Sequence, residues 1–111
     1  MVAPRINIPL EQIRDFCRKW KVREFSLFGS VLRDDFRPDS DVDVLVAFVK
    51  DSKISLWDWP AMQDELQDIF GGRKVDLVEK EGLRNPFRKH EILTTRQVVY
   101  VPGKEESGTA V

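Results

Sequence analysis

An α/β fold of four strands and four helices is predicted by three features of the chain. Segments with helical apolar spacing alternate with short β-branched runs, and glycines close two of the segments. The whole order also fits within 111 residues, enough for one core and too few for two. One domain is expected over residues 1–102, with a structureless polar tail over 103–111.

Pro9–Trp20 carries Leu10, Ile13, Phe16, Cys17 and Trp20 on one helical stripe, which predicts the first helix. Val22–Phe28 is rich in aromatic and β-branched residues and is closed by Gly29, so it reads as a strand ending in a tight turn. A short helix over Ser30–Arg33 and a loop over Asp34–Ser40 follow, the loop marked by Pro38, Asp39 and Ser40. From Asp41 to Phe48 one face holds Val42, Val44, Val46 and Phe48, while the other begins with Asp41 and Asp43. Ile54–Phe70 is expected to be the long helix, stopped by Gly71-Gly72. Lys74–Val78 reads as a third strand, Pro86–Thr94 as the last helix and Val98–Val101 as the last strand.

Composition narrows the function. Eighteen Lys+Arg stand against 19 Asp+Glu, a formal net charge of -1, so no basic excess favours long nucleic acid as a partner. The content of 41% hydrophobic and 33% charged residues is that of an ordinary globular protein. The longest apolar run, Val44–Val49, is strand-sized, and Met1–Asn7 lacks the apolar region of a signal peptide, so no membrane is implied and a cytoplasmic address is expected. Cys17 has no second cysteine and is expected to be a buried helix residue.

The chemistry gathers in three places. Asp41 and Asp43, two apart on a strand, put both carboxylates on one face with Cα atoms roughly 6.5 Å apart, which suits a shared hard cation such as Mg²⁺. Asp76, between Val75 and Leu77 in another strand, supplies a third acid. Gly29-Ser30, where a strand runs into a helix, offers backbone N–H groups and a hydroxyl to phosphate, and Arg33 stands one turn on. An EF-hand over Asp39, Asp41 and Asp43 is excluded, because its sixth position is Val44 and its twelfth Lys50.

His90 lies in the charged stretch Arg88-Lys89-His90-Glu91 with no second histidine and is expected to face solvent. Arg84, Arg88 and Lys89 read as an ordinary basic helix face, and Trp57 and Trp59 as core packing or helix entry, with anchoring of a partner chain as the alternative.

Phe28-Gly-Ser-Val-Leu-Arg33, Pro38-Asp-Ser-Asp-Val-Asp-Val-Leu-Val46 and Val75-Asp-Leu-Val78 together resemble the minimal nucleotidyltransferases of the DNA polymerase beta superfamily, from about Pro9 to Val101. The resemblance implies a mixed four-stranded sheet flanked by about four helices. It further implies ATP as substrate bound by Gly29, Ser30 and Arg33, two Mg²⁺ ions with the nucleotide, and Asp41, Asp43 and Asp76 as metal-binding catalytic acids. Many such proteins are antitoxins paired with a HEPN-type toxin, which implies transfer of AMP to a tyrosine hydroxyl of that partner. The alternatives are a non-catalytic antitoxin acting by occlusion, or transfer to a small molecule or RNA with a partner subunit or a homo-oligomer. The chain departs from the family at Arg33-Asp34, where Arg-Gly is common, adding a side chain and a negative charge near the nucleotide entrance.

Overall fold

Apolar spacing and turn residues place seven elements in the computed structural model, which describes residues 8–29 and 41–101. They are α1 (Leu10–Trp20), β1 (Val22–Phe28), β2 (Val42–Phe48), α2 (Trp59–Ile69), β3 (Val75–Glu79), α3 (Pro86–Thr95) and β4 (Gln97–Tyr100). The expected helix at Ser30–Arg33, the loop at Asp34–Ser40 and the tail at 103–111 lie outside the described residues.

The strands form one sheet in the order β3-β2-β1-β4. β1 is antiparallel to both neighbours, and β2 runs parallel to β3 through the α2 crossover, so the sheet is mixed. Its central strands are covered on both sides, which explains why β2 reads as nearly continuous apolar sequence after Asp43. On one face Phe25, Leu27, Val42, Val44, Val46, Val75 and Leu77 pack against Ile13, Phe16 and Cys17 of α1 and Met62 and Leu66 of α2. The Phe16 ring meets Phe25 edge-on at 6.1 Å. On the other face a smaller cluster joins Phe28, Leu45 and Ile92, the last from α3.

Local chemistry sets the ends. Lys21, at φ 60, turns the chain from α1 into β1 within one residue and donates its N–H to the Cys17 carbonyl. Gly71, at φ 72, ends α2: its N–H reaches the Asp68 carbonyl at 3.2 Å and the Gly72 N–H reaches that of Gln67 at 2.7 Å, the paired bonds of a Schellman motif.

The long helix starts later than its apolar spacing suggests, at Trp59 rather than Ile54. Pro60 has no N–H to give the Leu56 carbonyl, so the helical ladder cannot extend back past it, and Leu56–Asp58 forms a separate 3-10 turn. Asp58 closes that turn by accepting the Ser55 N–H at 3.0 Å. A second 3-10 turn, Lys80–Gly82, leads from β3 towards α3. Lys80 pairs with Glu24 of β1 at 3.2 Å, and Arg96, just before β4, lies 2.6 Å from the other oxygen of the same carboxylate. That last contact is an ion pair away from hydrogen-bond alignment.

The two faces differ in depth, and core truncations are expected to differ accordingly. Phe25→Ala, at a fully buried position in the larger core, should cost about 4 kcal/mol and Ile92→Ala about 2 kcal/mol, read from the shift in urea midpoint at unchanged slope.

Candidate active site

Strand alternation decides where the acids point. Val42 and Val44 are fully buried beneath α1 and α2, so Asp43 between them projects to the opposite face of the sheet. On β3, Val75 and Leu77 are buried on the helix-covered side, and Asp76 projects to that same opposite face, exposed.

The parallel register pairs Asp43 with Asp76, placing their Cα atoms about 4.8 Å apart, one strand spacing. Carboxylates so placed repel each other, and an oxygen-seeking divalent cation between them relieves the repulsion, so the donor set fits Mg²⁺. On its other side Asp43 is paired with Phe28, the last residue of β1.

Gly29 follows directly, at φ +76. A Cβ added there would stand 3.1 Å from the Asp43 Cγ and collide with its Oδ2. The backbone of Gly29 thus runs against the carboxylate with no room for a side chain, and the positive φ is itself costly for any other residue. Asp43 is accordingly half-buried.

Asp41 lies immediately before β2 and is exposed; the next residue, Val42, anchors that entry by donating its N–H to the Lys74 carbonyl at 2.9 Å. Among the described residues no three His, Cys, Asp or Glu side chains form one metal-sized group. The structure therefore brings Gly29, Asp43 and Asp76 together and sets Asp41 at the strand entrance rather than in a closed triad. Ser30 and Arg33 lie outside the described residues.

The remaining candidates fall as the chain suggested. His90, Arg88 and Lys89 are exposed on α3 and Arg84 is exposed just before it, while Cys17 is buried. Trp59 packs at the core edge with its ring 6.2 Å from that of Phe48. Trp57 does not join the core: it sits in the 3-10 turn at 91% exposure, because the helix that would have turned it inward begins two residues later. The side-by-side placement of Asp43 and Asp76 has no signal in local periodicity, since register across a crossover is set in three dimensions; only the family motif set implied that the two acids share a site.

The model of the nucleotidyltransferase domain matches residues 10–99, reaching every strand of the sheet. The chain belongs to the nucleotidyltransferase domain family. Its similarity to a protein adenylyltransferase, MntA, of Thermococcus cleftensis is 36% identity over 88 residues, covering 79% of this chain and 83% of that one. A solved structure described as a "putative minimal nucleotidyltransferase" matches with TM-score 0.63 and 31% identity, over 79% of this chain and 86% of the other. A toxin-antitoxin crystal structure with AMP-PNP matches with TM-score 0.68 at 17% identity, over 87% and 77%, a likeness of fold. This nucleotidyltransferase therefore has the expected mixed sheet, with three α-helices among the described residues.

Two glycines with similar φ separate strain from site geometry. Gly71→Ala, with nothing within 4 Å of the added Cβ, should lower stability by about 1 kcal/mol and leave nucleotidyl transfer intact. Gly29→Ala, which must displace the Asp43 carboxylate, should lower transfer by roughly tenfold or more. Denaturation and turnover measured on both variants check the contrast.

Proposed function

We propose that this enzyme is an antitoxin that transfers AMP from ATP to a hydroxyl, a tyrosine, of a HEPN-type toxin protein, with Mg²⁺ as cofactor, in the cytoplasm. The observation that carries it is the pairing of Asp43 with Asp76 beside Gly29, on the face opposite α1 and α2. The similarity to a protein adenylyltransferase supports a protein acceptor, and the fold shared with a toxin-antitoxin complex supports the partner. No helix among the described residues is long and apolar enough to cross a membrane. The domain is taken as residues 1–102, with 103–111 as a tail.

In this reading Asp41, Asp43 and Asp76 hold the metal, two ions with the nucleotide. When bound, Mg²⁺ neutralises triphosphate charge and lowers the cost of charge developing on the entering and leaving oxygens. Gly29, lacking a side chain, lets the backbone come close to phosphate, and Ser30 donates its hydroxyl to a phosphate oxygen, with Arg33 balancing charge. Asp76, the exposed acid of the pair, orients the acceptor hydroxyl and takes its proton. The oxygen forms a bond to the α-phosphorus, the bond from that phosphorus to the bridging oxygen of the β-phosphate breaks, and pyrophosphate leaves. Asp43, wedged between the Gly29 backbone and β3, is held in one place and so suits the role of fixed ligand.

With α-labelled ATP and Mg²⁺, wild type is expected to label one protein in a host lysate, on tyrosine by peptide mass. Asp43→Asn and Asp76→Asn should each lower that labelling by at least about a hundredfold, as loss of a group acting on the reacting atoms does. Labelling of equal strength by these variants would discard the site. Full neutralisation of the toxin in cells by Asp41→Asn/Asp43→Asn would instead make the protein an occluding antitoxin. Label appearing only in a small molecule or RNA would move the acceptor there.

A further inference from the structure

The acid-bearing face of the sheet holds a second charged group, away from Asp43 and Asp76. On β1, Phe25 and Leu27 enter the larger core, so Glu24, Ser26 and Phe28 alternate onto the opposite face. The Glu24 side chain is only 13% exposed, and its two oxygens meet two cations, Lys80 Nζ at 3.2 Å and Arg96 Nη1 at 2.6 Å. Lys80 opens the turn that follows β3, and Arg96 directly follows α3. One carboxylate of β1 therefore holds both ends of the segment that carries α3.

That segment has little else to fix it. Among the described residues of the three helices, α1 buries Ile13, Phe16 and Cys17, α2 buries Met62 and Leu66, and α3 buries Ile92 alone. The neighbouring pair of Arg23 with Glu81 is about half exposed on both sides, and solvent leaves such a contact little strength. Lys80 and Arg96 are largely shielded from water, and a shielded cation that loses its carboxylate is costly to keep in place. Where apolar contact is thin and the ion pairs are shielded, the ion pairs decide where the helix sits.

The position of α3 reaches the site through Ile92, which packs against Phe28 and Leu45. Phe28 is paired with Asp43 and precedes Gly29, whose backbone lies against the Asp43 carboxylate. Leu45 follows Asp43 by two residues on the same face of β2. A displaced α3 would withdraw its support from the turn that confines the acid.

We propose that Glu24 is a positioning residue for nucleotidyl transfer: by holding Lys80 and Arg96 it seats α3, and α3 braces Phe28 and Gly29 against Asp43. The inference rests on the reading of Asp43 and Asp76 as the metal and triphosphate site.

Glu24→Gln keeps the shape of the side chain and removes its charge. Hydrogen exchange of the folded variant is expected to be faster at the α3 amides from Lys89 to Thr95, with the β2 amides as slow as in wild type. Binding of Mn²⁺ together with a non-hydrolysable ATP analogue should weaken by about fivefold or more. Gly71→Ala, destabilised but with nothing near its added Cβ, should bind as wild type does, which separates positioning from general loss of stability. Arg96→Met should behave as Glu24→Gln does, and Arg96→Lys should bind as wild type does, because a contact off hydrogen-bond alignment depends on the charge rather than on the guanidinium geometry. Unchanged α3 exchange in Glu24→Gln overturns the proposal, as does a loosened α3 with coupled binding of wild-type strength. Loss of coupled binding in Asp43→Asn and Asp76→Asn but not in Glu24→Gln overturns the positioning role alone, whereas binding retained by all three overturns the site reading with it.

Discussion

The parallel register between β2 and β3 is the constraint on which the site depends. It follows from burial: Val42, Val44 and Val46 on one strand and Val75 and Leu77 on the next must lie together beneath α1 and α2. A slip of one residue would turn those valines to the open face and the acids into the core, at a cost no domain of this size can bear. The apolar core and the pairing of the two acids are thus two consequences of one alignment. Asp43 faces Asp76 because its neighbours on both strands are held in the core.

A second constraint acts across β1. Pairing of Phe28 with Asp43 brings the chain past the carboxylate just where it must turn, and Gly29 is the residue that can pass. The positive φ and the missing Cβ answer the same need, a backbone that passes directly against the carboxylate. Phe28 in turn belongs to the small cluster with Leu45 and Ile92, so α3 supports the site from its own face. The structure divides its labour: one face makes the core and the other, more thinly covered, carries the paired acids.

Much of this was legible in the chain. The span of β1 and the Gly71 stop of α2 agree with the sequence to the residue, because strand composition and a left-handed C-terminal glycine are local signals. Asp43 and Asp76 declared themselves as acids interrupting apolar runs. Three features were not legible. The start of α2 was misplaced since Leu56 and Trp57 fit a helical stripe, while the missing Pro60 N–H ends the helix. Of the two places expected for Trp57, the core and helix entry, it takes helix entry, and its full exposure there was not legible. The adjacency of Asp43 to Asp76 arises from pairing between segments more than thirty residues apart, which local patterns do not encode.

The most direct test of the account is calorimetric titration of Mn²⁺, standing for Mg²⁺, in the presence of a non-hydrolysable ATP analogue, on wild type, Asp43→Asn and Asp76→Asn. If the paired acids make the metal and triphosphate site, wild type takes up metal together with nucleotide and each variant loses that coupled binding while keeping its folded spectrum. Coupled binding of unchanged affinity in both variants would contradict it, and the register of β2 on β3 would then be a feature of the core alone.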